Sequence, residues 1–199
     1  LGDVYKRQVY GDIETGSHDE ADLMKPSNPY SATKASADML ITAWGRTHKV
    51  PYIILRPTNN YGIGQYPEKF IPKVCKHLML GKKTPMHEHG MPRRTWLHVQ
   101  DTADATMFLL EHGEINNVYN ISGNYEDSNL NVFKKILSIA GLDPESYHDY
   151  ADFSWSRVGQ DVRYSINDSK IKSLGWSNTR EFDNELPRIV KHSMGKFVW

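Results

Sequence analysis

Tyr30 and Lys34 are the residues whose types and spacing could carry out chemistry. Side chains four residues apart lie on one face of a helix, which would place the lysine ammonium beside the tyrosine phenol. A free tyrosine has a pKa of ~10, and a neighbouring cation favours its phenolate, so the pair could accept a proton. About one such pair is expected by chance in a chain with 11 tyrosines, so an ordinary amphipathic helix is the alternative.

The flanking residues predict the helix that would hold this pair. Asn28 can cap the first backbone N–H groups and Pro29 suits the first helical position, so the helix is predicted from Pro29 to about His48. Its apolar residues recur at helical spacing and form one broad face, part of which is a candidate interface. They are Ala35, Met39, Leu40, Ala43 and Trp44.

Short apolar runs and amphipathic segments alternate along the rest of the chain. Residues 9–11 are predicted as the end of a strand, and the runs 50–55 and 118–121 are typical of strands buried in a parallel sheet. The order of these segments predicts an α/β fold. Helices are predicted at 67–80, 100–111, 129–140 and 166–174, and polar loops at 12–26, 59–64 and 84–95.

The composition excludes several kinds of protein. Lys and Arg together number 24, as do Asp and Glu, which gives no general attraction to nucleic acid or to a membrane surface. No apolar run is long enough to span a bilayer. The single cysteine, Cys75, excludes an intrachain disulfide and fits a reducing compartment, so a cytoplasmic location is expected. Its apolar neighbours predict a place in the core of a helix.

Three stretches together resemble the extended short-chain dehydrogenase/reductase family. They are Tyr10-Gly11-Asp12, the capped Tyr30/Lys34 pair, and residues 56–62 with the sequence RPTNNYG. Within this family the similarity is greatest to the dTDP-glucose 4,6-dehydratases, and it covers nearly all of residues 9–199. The stretches that carry it are 59–62, 67–72, 93–99 and 157–161.

The resemblance implies a site for NAD and a nucleotide sugar. Tyr30 and Lys34 would be catalytic and, with Asn60, would bind the cofactor. Substrate-binding roles are implied for Asn59, Lys69, Phe70, Pro85, His87, Arg94, Asn124, Arg157 and Gln160. The planar set of donors on an arginine suits a diphosphate, which favours a binding role for Arg94 and Arg157. The alternative is that these arginines only lie on the surface and contact solvent. No metal site is expected, because no carboxylate or cysteine spacing supports His87 and His89.

Three positions depart from the pattern of the family. Tyr125 stands where the family has an asparagine before a glutamate, a place that Asn124 could take. Gln160 and His87 replace a histidine and a tyrosine of the family. All three positions belong to stretches implied to contact the nucleotide, so the departures concern the choice of base.

The beginning of the chain does not match the family. Residues 1–8 do not look native, and residues 3–8 resemble the in-frame translation of a transposon-derived sequencing adapter. They stand where the family has its Thr-Asp-Glu acid–base group, and the chain contains no glycine-rich phosphate loop. We therefore expect the native sequence to begin at Val9, the phosphate-binding half of the sheet to be missing, and the chain alone to be inactive.

These inferences predict the second half of a Rossmann-like parallel sheet with a small α/β carboxyl-terminal substrate domain. Residues 9–65 and 97–122 would form the partial NAD-binding domain, and residues 66–96 and 123–199 the nucleotide-sugar-binding domain. The function implied by the resemblance is the NAD-dependent conversion of dTDP-glucose to dTDP-4-keto-6-deoxyglucose by a homodimeric enzyme. The alternatives are another nucleotide-sugar epimerase, dehydratase or decarboxylase, and a non-catalytic module that binds nucleotide sugars.

Overall fold

A computed structural model describes residues 9–154 and 162–195 and shows helices alternating with short strands. The helices are α1 (Pro29–His48), α2 (Phe70–Met79), α3 (Val99–His112), α4 (Asn129–Ile139), α5 (Tyr147–Tyr150), α6 (Ser169–Ser173) and α7 (Phe182–Gly195). The strands are β1 (Ile53–Pro57), β2 (Asn59–Tyr61), β3 (Thr84–Pro85), β4 (Arg93–His98), β5 (Asn117–Ile121), β6 (Tyr125–Ser128) and β7 (Ala151–Asp152). None of the helices in these two stretches is long and apolar enough to cross a membrane.

Most of the strands pair in parallel. β1 and β5 are in register from Ile53 opposite Asn117 to Pro57 opposite Ile121. β2 pairs in parallel with β4, and β3 with β7, while β4 and β6 pair antiparallel. The predicted α/β fold with parallel strands is therefore confirmed. Because β1 and β5 end at the same edge, the segments that follow them leave from neighbouring points.

A small hydrophobic cluster packs Ala35 of α1 against Val9, Tyr10 and Ile166, and two larger cores hold the other elements together. One gathers α2, α4 and α7, and its members Cys75, Phe133 and Leu186 are fully buried. The other packs α3 and α6 against the β1/β5 pair and includes Leu109 and Tyr119. The predicted place of Cys75 in a helix core is confirmed, and burial raises the pKa of its thiol to about 12. The domain boundaries given above stay a prediction.

A loop at the beginning of the described chain is held by a segment near its other end. Residues 12–26 form the predicted polar loop. Three backbone hydrogen bonds join it to residues 162–167, from Ile13 N to Arg163 O (3.0 Å), from His18 N to Ser165 O (2.9 Å) and from Asn167 N to His18 O (2.8 Å). The strand end predicted at 9–11 is wrong, since Val9 and Tyr10 lie in a turn that Gly11 continues with a φ of 85°.

The loops predicted at 59–64 and 84–95 both contain strand residues. β2 lies in the first, and β4 begins at Arg93 within the second. The strand β6 and the helix α7 were not predicted. β6 has the polar sequence YEDS and owes its conformation to pairing with β4, and α7 contains Pro187. For a polar segment such as β6, pairing with a neighbouring strand determines the conformation more than the local sequence pattern does.

The apolar face predicted for α1 is mostly exposed. Met39, Leu40 and Trp44 are 55%, 68% and 61% exposed. The buried residues of α1 are Ser31, Ala35 and Asp38. The helix therefore packs through a narrow and partly polar stripe, and its large apolar side chains remain a candidate interface.

Candidate active site

The amino terminus of α1 carries the predicted catalytic pair. Asn28 Oδ1 accepts hydrogen bonds from the backbone N and the Oγ of Ser31 (2.9 and 3.1 Å), so the predicted cap is confirmed. Tyr30 is 48% exposed, and Lys34 Nζ lies 5.6 Å from the centroid of its ring. The ammonium thus lies beside an accessible phenol, the arrangement that a tyrosine base requires. The catalytic role of the pair stays a prediction.

A buried polar network fastens α1 to the end of β1. Arg56 Nε donates to Asp38 Oδ2 (2.7 Å), and the two side chains are only 6% and 2% exposed. Arg56 also donates to the hydroxyl of Tyr10, which itself donates to Asn120 Oδ1 (3.0 Å) on β5. The network therefore joins the helix of Tyr30 to both strands of the parallel pair.

Burial shifts the protonation equilibria of this network. It raises the pKa of Asp38, although the Arg56 guanidinium opposes the shift. It likewise raises the pKa of Tyr10, against the effects of Arg56 and Asn120, so the phenol stays a neutral donor. Sequence reasoning missed Asp38. The one signal for it was the arginine at the end of a buried strand, since a buried guanidinium requires a counter-ion.

Two of the predicted substrate residues, Asn59 and Arg94, meet at Tyr164. The hydroxyl of Tyr164 donates to Asn59 Oδ1 (2.7 Å), and the guanidinium carbon of Arg94 lies 4.9 Å from the centroid of its ring. Arg94 Nη1 also donates to the carbonyl of Arg93 (2.7 Å). Arg94 and Tyr164 are buried, at 6% and 4% exposure. Tyr164 was missed by sequence reasoning, because no local pattern around it indicates a functional side chain.

Asn60, the predicted cofactor residue, is held between β2 and α3. Its Nδ2 donates to the carbonyl of Thr58 (3.0 Å), and its Oδ1 accepts from Thr102 Oγ1 (3.1 Å). Gln65 Nε2 donates to its backbone carbonyl (2.7 Å). These contacts give the amide a fixed orientation. The role of Asn60 toward NAD stays a prediction.

Asn124 lies in the turn after β5, at the same edge as Asn59. Its Nδ2 donates to Glu181 Oε1 (2.8 Å), just before α7. Asn59 and Asn124 follow two paired parallel strands at their carboxyl ends. Open α/β sheets bind their ligands at such an edge, so both positions are suited to contact one.

Arg93 and Arg94 are adjacent in β4 but have different surroundings. The Arg93 side chain is 51% exposed, and its Nε donates to Glu126 Oε1 (2.9 Å). Arg163 binds both oxygens of Glu126, through Nε (2.8 Å) and Nη2 (3.1 Å). Burial acts to raise the pKa of Glu126, but the hydrogen bonds from Arg163 and Arg93 hold it below its usual value. Arg93 thus belongs to an ion-pair network, whereas the guanidinium of Arg94 lies over the ring of Tyr164.

Lys69 and Phe70 begin α2. Lys69 is its N-cap residue and pairs with Glu68 (2.6 Å), and the ring of Phe70 lies 6.2 Å from that of Trp96. Two further predicted substrate residues, Arg157 and Gln160, lie outside the described residues.

Pro85 and His87 belong to a strained loop before β4. Pro85 pairs with Asp152 across β3 and β7, and His87 begins the 3₁₀ turn His87–Gly90. Glu88 and His89 in this turn have positive φ values of 47° and 51°. Non-glycine residues adopt this conformation at a cost, and such strain is found most often at ligand-binding sites. No group of three potential metal ligands occurs in the ranges 9–154 and 162–195.

The sequence of this chain matches that of a known protein family. The sequence model of the NAD dependent epimerase/dehydratase family matches residues 7–122. The chain belongs to this family. The match includes the Tyr30/Lys34 pair, the double asparagine of β2 and Arg94, but not Asn124 or Tyr164. The epimerase/dehydratase assignment thus agrees with the resemblance inferred from the sequence.

Similar proteins are known from Haloferax volcanii, Arabidopsis thaliana and Bacillus anthracis. The chain is 39% identical over 188 residues to the low-salt glycan biosynthesis protein Agl12 of Haloferax volcanii, covering 94% of this chain and 59% of that protein. It is 39% identical to RHM3, a trifunctional UDP-glucose 4,6-dehydratase, epimerase and reductase of Arabidopsis thaliana, and the match covers 92% of this chain and 28% of RHM3. The crystal structure of a Bacillus anthracis dTDP-glucose 4,6-dehydratase in complex with NAD is similar, with a TM-score of 0.87 and a sequence identity of 37%. This match covers 95% of this chain and 60% of the Bacillus chain. The chain therefore spans about 60% of the length of the Haloferax and Bacillus proteins.

Proposed function

We propose that this chain is the carboxyl-terminal part of a nucleotide-sugar 4,6-dehydratase that converts dTDP-glucose to dTDP-4-keto-6-deoxyglucose with NAD. The observation that carries the proposal is the exposed Tyr30 beside Lys34 on a helix that Arg56 ties to the ligand-binding edge of the sheet. The 4,6-dehydratases among its relatives support this reaction over a simple epimerisation.

Tyr30 would act as the base toward the substrate. As a phenolate it accepts the proton of the sugar C4 hydroxyl, and Lys34 supplies a positive charge beside its ring. NAD, when bound, supplies the reversible oxidation of the sugar. The elimination of water requires the acid–base group that the resemblance places before Val9, so no residue of this chain is assigned to that step.

The residues present fit the nicotinamide end of NAD. Tyr30 is half exposed and Lys34 lies beside it, so both can reach the hydroxyls of a ribose. The amide of Asn60 is oriented by Thr58 and Thr102 next to this edge. A glycine-rich turn for the pyrophosphate is absent from the sequence, so the rest of the cofactor would be bound by residues outside this chain.

Arg94 would bind the diphosphate and Asn59 the sugar. Arg94 presents a planar set of donors, which suits a diphosphate better than a lysine does. Asn59 lies just beyond the carboxyl end of β1. The sugar must also lie near this edge of the sheet if it is to reach Tyr30. Lys69, Phe70, Pro85, His87, Asn124, Arg157 and Gln160 would complete the nucleotide-sugar site.

The test uses a longer protein, called the extended protein below. In it, an amino-terminal segment precedes this chain and gives the whole about the length of its relatives. The extended protein is incubated with NAD and either dTDP-glucose or UDP-glucose, and the product is analysed by mass spectrometry. Loss of one water from dTDP-glucose is the expected result. An isomer of unchanged mass would show an epimerase, dehydration of UDP-glucose alone would correct the nucleotide, and binding without product would favour the non-catalytic module.

We also propose that the extended protein is a homodimer that uses the exposed face of α1. Met39, Leu40 and Trp44 form a large apolar surface on one helix, of a kind that associating proteins cover. Trp44→Glu places a charge on this face and should convert the dimer to a monomer in sedimentation analysis. A dimer that persists in this variant would show that the interface lies elsewhere.

The chain of residues 1–199 alone should bind NAD weakly and show no turnover. Tyr30, Lys34 and Asn60 reach only one end of the cofactor, whereas a dinucleotide is held mainly through its pyrophosphate. Calorimetric titration of the chain with NAD measures this directly. Saturable binding at micromolar concentrations would show that the cofactor site has been misplaced.

A further inference from the structure

Tyr164 is a buried side chain that contacts two proposed ligand residues through two different parts of its structure. Its hydroxyl donates to Asn59 Oδ1 at 2.7 Å. Its ring faces the guanidinium of Arg94 at 4.9 Å from carbon to centroid. Asn59 lies on β2 and Arg94 on β4, so the tyrosine spans two neighbouring strands.

The hydroxyl of Tyr164 determines the orientation of the Asn59 amide. An asparagine side chain has an acceptor oxygen and a donor nitrogen, and rotation by half a turn exchanges them. Because the hydroxyl donates to Oδ1, the oxygen is the end of the amide that faces Tyr164, and Nδ2 is the end that can donate elsewhere. Asn59 is thereby prepared to donate a hydrogen bond to an acceptor oxygen of a sugar.

The ring of Tyr164 attracts the Arg94 guanidinium and holds it over the aromatic face. The donors of a guanidinium point outward in its own plane, where they can meet an anion. On one side Nη1 is bound to the carbonyl of Arg93 at 2.7 Å. The cation–π contact and this hydrogen bond together reduce the side-chain entropy that Arg94 would lose on binding a diphosphate.

Tyr164 is itself held by the long-range contacts of its segment. The backbone of the neighbouring residue Arg163 forms an isolated parallel β-bridge with Arg93. The side chain of Arg163 binds the carboxylate of Glu126. Ser165 accepts a backbone hydrogen bond from His18 (2.9 Å). Both flanks of the tyrosine are therefore fixed, which a positioning side chain needs.

We propose that Tyr164 is a positioning residue that aligns Asn59 for the sugar with its hydroxyl and Arg94 for the diphosphate with its ring. This inference rests on the proposed function of the site. It goes further in assigning separable effects to two parts of one side chain, so that changes to each part can be told apart.

Two substitutions separate these effects in the extended protein. Tyr164→Phe keeps the ring and removes the hydroxyl, so kcat/KM for the nucleotide sugar should fall about five- to thirtyfold, while the Kd for dTDP, which lacks the glucosyl group that Asn59 would contact, is unchanged. Tyr164→Leu removes the ring as well, so the Kd for dTDP should also rise, by about five- to tenfold. Thermal unfolding shows whether each variant is folded.

Tyr119→Phe is the matched control. Tyr119 is also a buried tyrosine. Its hydroxyl accepts a hydrogen bond from Glu114 N (2.9 Å), and the ammonium of Lys170 lies over its ring, 4.5 Å from the centroid. It lies in the core of the β1/β5 pair and outside the proposed site. Tyr119→Phe should alter stability about as much as Tyr164→Phe but leave kcat/KM and the Kd for dTDP unchanged.

A double-mutant cycle tests whether Tyr164 acts through Asn59. In an Asn59→Ala background, Tyr164→Phe should cause no further loss of kcat/KM. An equal loss in both backgrounds would overturn the proposal in favour of a general structural role, and so would a Tyr164→Phe variant with wild-type kinetics. An extended protein that neither binds nor converts nucleotide sugars would instead overturn the proposed function, and this inference with it.

Discussion

Asp38 and Arg56 form a buried ion pair, with 2.7 Å between Oδ2 and Nε, that connects the middle of α1 to the strand that leads to Asn59. Asp38 is one helical turn beyond Lys34, and Arg56 is near the end of β1. The pair therefore fixes the distance between the helix of the proposed base and the edge of the sheet. Its effects on stability and on catalysis can be measured separately.

Arg56→Met should destabilise the extended protein by about 3–5 kcal/mol, because it leaves the Asp38 carboxylate buried without its counter-ion. Asp38→Leu combined with Arg56→Met removes both charges and should cost clearly less than the single change. Urea unfolding measures both. Arg188→Met is the control, since Arg188 also binds a carboxylate, that of Glu185 (3.0 Å), but is 64% exposed and should cost under about 1 kcal/mol. A double variant less stable than Arg56→Met would contradict the prediction.

Tyr30→Phe should lower kcat of the extended protein by about 10²–10⁴-fold and leave the Kd for the nucleotide sugar unchanged. The substitution removes the oxygen that accepts the proton but keeps the ring. Steady-state kinetics and calorimetric titration measure the two quantities. Tyr150→Phe, at the end of α5 and outside the site, is the control and should behave as wild type. Turnover that survives Tyr30→Phe would refute the role of base.

Arg94→Ala should weaken binding of the nucleotide sugar by about 10- to 100-fold, because a charge-assisted contact to the diphosphate is lost. The loss should appear in Kd as well as in kcat/KM, since the cation binds the ground state too. Arg93→Ala is the natural control, being the adjacent arginine of β4 with its side chain half exposed and bound to Glu126. If both variants lose affinity equally, the loss reflects net charge rather than a specific contact.

Glu126 should contribute stability that disappears in acid. The hydrogen bonds from Arg163 and Arg93 lower its folded-state pKa from the usual 4.5 despite its burial. A carboxyl group with a lowered folded pKa stabilises the fold above its unfolded pKa, and this contribution is lost as the pH falls through the folded pKa. Urea unfolding should therefore show a difference between wild type and Glu126→Gln that is constant near neutral pH and shrinks below about pH 4.5.

The control for this pH series is Glu145→Gln, at an exposed carboxylate that binds Lys134 (2.9 Å). Comparison of the two variants separates the effect of the Glu126 network from that of any surface ion pair. A stability difference for Glu126→Gln that stays constant down to pH values well below 4 would argue against a lowered pKa at this position.

The parts of the fold that sequence could predict are those whose causes are local. The start of α1 follows from the Asn28 cap and Pro29, and α3 and α4 follow from apolar spacing within one helix. The same spacing predicts α2, which begins at Phe70 rather than at residue 67. The β1 and β5 strands were recognisable from short β-branched runs. In each case the residues that determine the element lie inside it or next to it.

The parts that sequence could not predict depend on contacts between distant residues. β6 is polar and becomes a strand only because β4 pairs with it. Tyr164 matters because its hydroxyl meets Asn59 and its ring meets Arg94, neither of which is near it in sequence. The apolar face of α1 was recognised, but a helical pattern does not reveal whether such a face packs on the sheet or stays exposed.

The bonds between the loop of residues 12–26 and residues 162–167 also set an order of folding. During synthesis, the loop emerges before α1, and its partners emerge only after α1 to α5 have been made. Helices form from neighbouring residues in microseconds or less, whereas contacts so far apart in sequence must await loop closure. The loop and the Tyr164 segment should therefore dock last, and a nascent chain stalled before residue 162 should present this loop to proteases while its helices are already protected.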